Sequence, residues 1–345
     1  MSASSEILSI EAAPDHELFI ARANDTPGYL SDLDIVIVNY NTKDLLRACL
    51  HSVFDSRCDF RWRVLVVDNA SKDDSAAMVQ NEFVPFQPHL SFIQSQQNGG
   101  FSYGNNLALR KICPMPPAGP HNPLYVGCQP QARYILLLNP DTLVPPAAFQ
   151  QMYDFMQTHS QAGIVGPKLV RGDGQLDLAC RRSFPTPSVS LYRMLGLSKL
   201  WPHHPVLARY NLTNRDPNQL YEVDSVSGAF MLLRSEAIAQ AGILDETFFM
   251  YGEDLDWAFR IKAQGWKVFY NPATTVIHYK GESSKQRSVG AIVNFYQAMY
   301  IFYRKHYAPH TFVLLNWFII FGIVAKGALA LVVNFLRPKA SKRVS

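Results

Sequence analysis

The chain has 345 residues, of which 48% are hydrophobic and 17% charged, and its formal net charge is +4. This composition excludes a disordered chain, and the length allows one large domain or two. The small net charge, without a basic stripe interleaved with aromatic residues, argues against nucleic acid as a partner. The five cysteines include no C-x-x-C pair, so we expect reduced thiols in a cytoplasmic protein.

Strand and helix patterns alternate through the first half of the chain. Residues 1–31 are polar and acidic, lack the apolar run of a signal peptide, and are predicted to be a flexible leader. Residues 34–38 are predicted to be a strand, 42–54 an amphipathic helix and 63–67 a second strand. A third strand over 91–94 precedes a helix near 105–112. This alternation predicts a parallel α/β sheet.

The second half continues this pattern after two irregular stretches, 113–130 and 183–218. The later elements are predicted to be two helices and three strands. The strands cover 226–233, 267–270 and 274–277, and the helices cover 235–241 and 253–264.

One apolar run leads directly into polar residues that suit a metal ion. Residues 134–138 have the composition of a buried parallel strand, and Asn139, Pro140 and Asp141 follow at its end. Open α/β sheets bind ligands at the carboxyl ends of their strands. Asp141 is therefore a candidate ligand for a hard cation, although the same residues could simply begin a helix.

A second acidic group opens the helix predicted over residues 253–264. Glu253, Asp254 and Asp256 lie in its first turn, where the helix dipole stabilises carboxylates. They could serve only that purpose. Together with Asp141, they instead suggest a metal site and a proton acceptor for group transfer from a phosphate-bearing donor.

Five motifs occur in a fixed order, at residues 37–41, 66–71, 98–101, 138–141 and 252–256. In order and spacing they resemble glycosyltransferase family 2, and within it the rhamnosyltransferase-like branch of cell-surface polysaccharide enzymes. The resemblance implies a GT-A fold over residues 32–307, with a nucleotide half over 32–145 and an acceptor half over 146–307. It also implies a nucleotide-sugar donor, inverting transfer and a divalent metal, Mg²⁺ or Mn²⁺.

The resemblance assigns donor binding to residues in several of these motifs. Polar side chains after the first two strands can hydrogen-bond a nucleobase and a ribose, and glycine amides can approach a phosphate. A plain turn is the alternative at both places. Two basic residues of a later loop can close over the diphosphate or remain solvated. The predicted donor-binding residues are Asn39, Asn41, Asp68, Asn98, Gly99, Gly100, Asn139, Lys280 and Arg287.

The resemblance also assigns the metal, the base and the acceptor. Asp141 and His278 are the predicted metal ligands, although a single histidine at a strand end can be structural. Asp254 is the predicted general base, because a positioned carboxylate can take the proton of an attacking hydroxyl. Asp254 and Asp256 point to different helix faces and cannot both reach one hydroxyl. The predicted acceptor-binding residues are Glu253, Asp256, Tyr251 and Trp257.

We therefore predict an inverting, metal-dependent glycosyltransferase. It would move a sugar, with L-rhamnose from dTDP-rhamnose as a candidate, to a lipid-linked or polysaccharide acceptor. A UDP-sugar is an alternative donor. Two other functions stay open, a nucleotidyltransferase that makes sugar nucleotides and a non-catalytic membrane-bound scaffold. The first usually has a glycine-rich basic loop after its first strand, where this chain has Asn39, Tyr40 and Asn41.

The C-terminal segment, residues 308–345, is predicted to bind the cytoplasmic face of the inner membrane. Residues 311–336 are nearly all apolar, and a spanning helix needs about 20 such residues. Lys326 near the middle would cost roughly 2.5–3.5 kcal/mol at the bilayer centre. We therefore predict two shorter amphipathic pieces, split near Lys326 and Gly327, that lie in the interface. A single span and a buried helix are the alternatives.

Overall fold

A nine-stranded mixed sheet forms the centre of the computed structural model, which describes residues 28–116, 124–279 and 289–336. Its strands are β1 (Ser31–Asn39), β2 (Trp62–Asp68), β3 (Leu90–Gln94), β4 (Ala132–Leu138), β5 (Thr142–Leu143), β6 (Ala162–Val170), β7 (Tyr221–Val223), β8 (Phe230–Arg234) and β9 (Lys267–His278). The helices of the described residues are α1 (Lys43–Phe54), α2 (Ser75–Glu82), α3 (Gly100–Ile112), α4 (Ala148–Thr158), α5 (Pro187–Met194), α6 (Leu197–Leu200), α7 (Ser235–Ala241), α8 (Glu253–Ala263), α9 (Val289–His306) and α10 (Val313–Leu336). The predicted α/β class is confirmed. β1 begins inside the predicted leader, whose residues 1–27 lie outside the described ranges.

The strand order brings several chain segments to one edge of the sheet. The order is β3-β2-β1-β4-β8-β6-β9-β5, and β7 also pairs with β9. β3, β2, β1 and β4 are parallel, β8 runs antiparallel to both β4 and β6, and β9 is parallel to β6. The carboxyl ends of β1, β2, β4, β6 and β9 therefore lie on the same side as the amino end of β8.

Hydrophobic patterning explains the first half of this fold. The residues of β1 and β4 are almost all buried, as expected for parallel strands covered on both faces. α1 packs on the sheet through Leu46, Cys49, Leu50 and Val53, which recur at helical spacing along one face. The amphipathic helix predicted over residues 42–54 is therefore present, over Lys43–Phe54.

The two predicted late strands are one strand, β9. The ladder between β6 and β9 has an irregularity between Pro167 and Lys168, where the β9 partners jump from Asn271 to Thr275. The extra β9 residues form a bulge at this point. They include Pro272, and proline is tolerated in a sheet at a bulge. β6 is not predicted from the sequence, because its two glycines and its proline interrupt the strand pattern.

α3 packs directly against the loop that precedes α8. Gly100 has φ +89°, and a Cβ atom there would overlap the carbonyl oxygen of Phe249. The Phe101 N–H donates to the same oxygen at 2.7 Å. Protein backbone thus occupies the space beside Gly100 that a side chain would fill, which does not support its predicted role of admitting a donor phosphate.

The C-terminal helices form an antiparallel pair on the side of α8. α9 packs on the α8 region through Ala298 and Phe302. α10 packs on α9, and Gly327 allows the Tyr296 ring to approach closely. α10 is continuous over 24 residues, so the predicted split near Lys326 is wrong. No break is needed, because the Lys326 ammonium donates to the Met194 carbonyl oxygen at 2.6 Å.

We expect Gly100→Ala to destabilise the protein more than a glycine substitution that meets open space. Gly174 is the matched control, since it has φ +79° and a Cβ atom added there would have no neighbour within 4 Å. Gly174→Ala should cost about 1 kcal/mol of backbone strain, whereas Gly100→Ala adds a steric overlap and should cost about 3 kcal/mol or more. Urea unfolding monitored by circular dichroism measures both. Equal losses would show that the Phe249 contact is not tight.

Candidate active site

Asn39 and Asp68 join the ends of β1 and β2. Asn39 Nδ2 donates to Asp68 Oδ1 at 3.1 Å and lies 3.0 Å from Ser71 Oγ. The other Asp68 oxygen accepts from the Ser71 N–H at 3.0 Å. Asn39 has no exposed surface and Asp68 only 1%. Their burial does not support the predicted contact with the donor, and the pair instead fixes the two loops.

Asn41 and Tyr40 are exposed beside this pair. Asn41 adopts φ 55°, and its Oδ1 accepts from the Lys72 N–H at 2.7 Å. Tyr40 is 42% exposed. An exposed aromatic ring can stack on a nucleobase, so Tyr40 joins Asn41 as a candidate donor-binding residue.

The turn before α3 is bonded internally. Asn98 Oδ1 accepts from Asn69 Nδ2 and from the Gly100 N–H, both at 3.0 Å. The Gly99 N–H lies 3.4 Å from Asn69 Oδ1. Asn98 and Gly99 therefore position α3 relative to β2, and these contacts do not support their predicted role as phosphate ligands.

His278 contacts three polar side chains from two other segments of the chain. It ends β9, and its Nε2 lies 3.3 Å from Asp141 Oδ1 and 3.4 Å from Asn139 Nδ2. Its Nδ1 lies 3.0 Å from Asp177 Oδ2. The pairing of β5 with β9 places Thr142 opposite His278, which explains why Asp141 and His278 meet.

This cluster has the donor atoms that a divalent cation needs. Asn139 Oδ1 and Asp141 Oδ1 are buried without a hydrogen-bond partner, since the His278 contact has ion-pair distance but not hydrogen-bond alignment. The Asp177 contact on Nδ1 would orient the His278 ring so that Nε2 faces a metal. The described residues hold no group of three His, Cys, Asp or Glu suited to a metal, so the Asn139 amide and donor phosphates would complete the shell.

The neighbouring carboxylates favour the protonated form of His278, so a metal would have to displace the proton on Nε2 in order to bind there. Burial lowers its pKa, but the carboxylates of Asp141 and Asp177 outweigh this effect and raise the pKa to about 9. The imidazolium charge balances the two buried carboxylates.

Asp254 lies at the start of α8 in an ion pair with Arg182. Asp254 Oδ2 accepts from Arg182 Nη2 at 2.6 Å and from the Gly228 N–H at 3.2 Å. Its Oδ1 accepts from the Leu255 N–H at 2.8 Å. Burial opposes the charge of Arg182, but the Asp254 carboxylate outweighs it and raises the pKa of the guanidinium. These contacts fix the Asp254 carboxylate, whose side chain is 13% exposed.

Asp256 and Trp257 point away from the site. Asp256 is fully buried, forms ion pairs with Arg260 and with Lys305 of α9, both at 2.8 Å, and lies 2.7 Å from His306 Nε2. Trp257 is also fully buried, and its indole N–H donates to the Gly242 carbonyl oxygen at 2.7 Å. The prediction that these two residues bind the acceptor is wrong, because neither has a surface that an acceptor can touch.

The site thus contains the Asp141 and Asp254 carboxylates that the sequence motifs predict. Comparison with known proteins identifies the family. A model of the family described as "Glycosyltransferase like family 2" matches residues 31–289. The chain belongs to this family. It is therefore a glycosyltransferase, as the resemblance predicts.

Individual relatives agree with this assignment. The chain is 25% identical over 268 residues to N-acetylglucosaminyl-diphospho-decaprenol L-rhamnosyltransferase of Mycobacterium tuberculosis, covering 78% of this chain and 81% of that protein. It is 25% identical over 250 residues to rhamnosyltransferase WbbL of Escherichia coli K12, covering 71% and 82%. A crystal structure of GalNAc-T7 with UDP, GalNAc and Mn²⁺ has a similar fold, with a TM-score of 0.50 and 13% identity, over 72% of this chain and 44% of that one. The predicted GT-A fold is confirmed.

The loop before α8 gives this glycosyltransferase an exposed aromatic surface. Phe249 is 41% exposed and Tyr251 36%, while Phe248 is buried against α9. The Tyr251 ring lies 6.1 Å from the ring of Phe295 on α9. Tyr251 remains a candidate to contact a sugar acceptor. Lys280 and Arg287, the predicted lid residues, lie outside the described residues.

The sequence does not reveal which residues pair with two of the predicted site residues. Asp177 is 101 positions from His278, and Arg182 is 72 positions from Asp254. Neither forms a local motif with its partner. The adjacent arginines at 181 and 182 are a weak signal, and the structure separates them: Arg181 stacks over Tyr221 and Tyr270, and Arg182 binds Asp254.

Glu253 is a buried carboxyl group beside the candidate base. It is 8% exposed, and its Oε2 is buried without a partner among the described residues. Burial and the neighbouring Asp254 carboxylate raise the pKa of Glu253 to about 8. Because Glu253 lies beside Asp254, its predicted contact with the acceptor stays a prediction.

We expect Glu253 to make stability fall as the pH rises. Its folded-state pKa is raised, so its contribution is fully present below the unfolded pKa near 4.5 and is lost as the pH rises through about 8. Glu253→Gln mimics the protonated form at every pH. The variant should therefore gain melting temperature relative to the wild type between pH 5 and 8, measured by differential scanning fluorimetry. A constant difference across this range would contradict the burial of an ionisable Glu253.

Proposed function

We propose that this chain is an inverting, metal-dependent glycosyltransferase that adds one sugar to a lipid-linked or polysaccharide acceptor of a cell-surface glycan. L-Rhamnose from dTDP-rhamnose is the first candidate, because relatives from two organisms are named as rhamnosyltransferases. A UDP-sugar is the second. The nucleotidyltransferase and scaffold alternatives are disfavoured by the family match.

One observation carries this proposal. The Asn139 N–H donates to the Ala229 carbonyl oxygen at 3.0 Å, and the Gly228 N–H donates to Asp254 Oδ2 at 3.2 Å. The candidate metal ligands and the candidate base therefore flank the same two residues at the amino end of β8. A donor diphosphate and an acceptor hydroxyl held at these places would meet over this short segment.

Asn139, Asp141 and His278 would hold the divalent metal. When bound, the metal would offset the negative charge of the leaving diphosphate. Asp177 would hold the His278 ring in place. Tyr40 and Asn41 would contact the nucleoside at the neighbouring strand ends.

Asp254 would act as the general base. The acceptor hydroxyl oxygen forms a bond to the anomeric carbon while the bond from that carbon to the phosphate oxygen breaks. The hydroxyl proton passes to the Asp254 carboxylate, and the nucleoside diphosphate leaves with the electron pair. A single displacement of this kind inverts the anomeric configuration. Arg182 and the Gly228 N–H hold the carboxylate at its Oδ2 atom and position it for this step.

The proposed location is the cytoplasmic face of the inner membrane. The Mycobacterium tuberculosis relative is named for a decaprenol-linked acceptor, which is a membrane lipid. Among the described residues, α10 is the one helix long and apolar enough to cross a membrane. The cytoplasmic face is the side on which we propose that the nucleotide-sugar donor is supplied.

We expect Asp254→Asn to abolish sugar transfer while nucleotide-sugar binding persists. General-base catalysis contributes about 100-fold to 10,000-fold, so the turnover number should fall by at least about 100-fold. The assay uses the full chain in lipid vesicles with a panel of dTDP- and UDP-sugars. Asp173→Asn, in the exposed turn after β6, is the control.

Two outcomes of that assay would contradict the proposal. Transfer at the wild-type rate by Asp254→Asn would remove the base assignment. No transfer from any donor by the wild type would favour the scaffold, and pyrophosphate-dependent synthesis of a sugar nucleotide would favour the nucleotidyltransferase.

We expect transfer to stop in excess chelator and to return with Mg²⁺ or Mn²⁺. Asp141→Asn and His278→Ala should each weaken Mn²⁺ binding at least about tenfold, as measured by electron paramagnetic resonance of free Mn²⁺. His203→Ala, an exposed histidine, is the control. Full activity in chelator would assign Asp141 a purely structural role.

A further inference from the structure

α10 exposes a broad apolar surface. Only 17% of its most apolar 18-residue window is buried. Large apolar side chains project outward along its length and are exposed, among them Leu314, Trp317, Phe318, Phe321, Phe335 and Leu336. Such a patch marks an interaction surface on an otherwise folded domain.

Contacts along α9 hold α10 against the protein. The Tyr303 hydroxyl hydrogen-bonds Asn316 near the start of α10, and Tyr296 packs on Gly327 further along. Asn316 Nδ2 also donates to the Ala308 carbonyl oxygen at 3.0 Å and fixes the turn between the helices. A spanning α10 would lose these contacts, so the helix is built to lie along the domain.

α5 meets the flank of α10. Lys326 Nζ donates to the carbonyl oxygen of Met194, the last residue of α5, at 2.6 Å. A cation at the carboxyl end of a helix is stabilised by the helix dipole. The nearest side chain to Gly322, one turn before Lys326, is also that of Met194. The two helices therefore form one continuous surface.

The segment that contains α5 and α6 adds its own exposed apolar side chains. Leu191, Leu195, Leu200 and Trp201 are each more than half exposed. Basic residues alternate with them, since Arg193 and Lys199 are exposed. Burial lowers the pKa of Lys326, and the charges of Arg193 and Lys199 lower it further. Apolar side chains mixed with cations suit the headgroup region of an anionic bilayer.

We propose that residues 191–201 and the exposed side of α10 form a single bilayer-docking face, whose partner is an anionic lipid bilayer. The proposal extends membrane contact from the C-terminal helix to an insertion in the catalytic domain. It does not depend on the sugar that is transferred. A second copy of the chain is the less suitable occupant, because the cations of two such faces would repel each other.

Tryptophan quenching tests the new contact directly. Trp201 and Trp317 are exposed, and of the other three tryptophans Trp257 is fully buried. In a Trp317→Phe background, vesicles of brominated phosphatidylglycerol should quench the fluorescence of the bound protein. Adding Trp201→Phe should remove most of that quenching. Vesicle-bound protein whose Trp201 is not quenched would overturn the proposal.

Two matched double variants test how much the exposed leucines contribute to vesicle binding. Leu195→Ser with Leu200→Ser removes side chains that are 62% and 68% exposed, and Leu30→Ser with Phe86→Ser removes side chains that are 57% and 72% exposed. The first pair should weaken binding to phosphatidylglycerol vesicles at least about tenfold, and the control pair should not.

Three results would contradict the proposal that residues 191–201 and α10 form one bilayer-docking face. Equal effects of the two pairs would indicate general surface hydrophobicity. Unchanged vesicle binding by the first pair would confine the anchor to α10. A change of oligomeric state without a change in vesicle binding would assign the face to a second copy.

Discussion

The buried carboxylate of Asp256 holds α8, α9 and the loop after α7 together. One oxygen accepts from Arg260, whose guanidinium also donates to the Ile243 carbonyl oxygen. The other lies 2.7 Å from His306 Nε2 and 2.8 Å from Lys305 Nζ. Burial opposes the charge, but His306, Arg260 and Lys305 outweigh it and lower the pKa of Asp256. Without α9, one oxygen of this buried carboxylate would lose both of its partners, which is costly, so the docking of α9 stabilises the position of α8.

This constraint sets the environment of the two carboxyl groups at the start of α8. Asp254 has a cation and two backbone N–H groups as partners, whereas Glu253 has burial and a neighbouring negative charge. Burial and the Asp254 carboxylate raise the pKa of Glu253, which favours its neutral form beside Asp254. Neighbouring carboxyl groups in unlike environments can take unlike roles in proton transfer. Glu253 is thus the carboxyl group whose charge is opposed by burial, and Asp254 is the one with a cationic partner.

Sequence reasoning found the strand ends but not the contacts made across the sheet. The bounds of α7 and the start of α8 follow from local signals, such as Gly242 after the helix and the acidic first turn. Helical periodicity also separated Asp254 from Asp256. It could not tell which face of α8 is buried, because that depends on α9, which lies 50 residues away in the His306 contact. The sequence likewise suggests a phosphate-binding role for Gly100, because its contact with Phe249 is a long-range one that no local pattern reveals.

α9 lies between α8, which carries Asp254, and α10, which belongs to the proposed bilayer-docking face. Phe302 and Ala298 face α8, while Tyr296 and Tyr303 face α10. α9 therefore contacts both α8 and α10. Since packing and a buried ion pair hold these helices together, the bilayer-docking face would hold the Asp254 carboxylate at a constant height above the lipid. A membrane-bound acceptor would then need no moving arm to reach the base, because the protein surface that meets the lipid is rigidly joined to the helix that carries it.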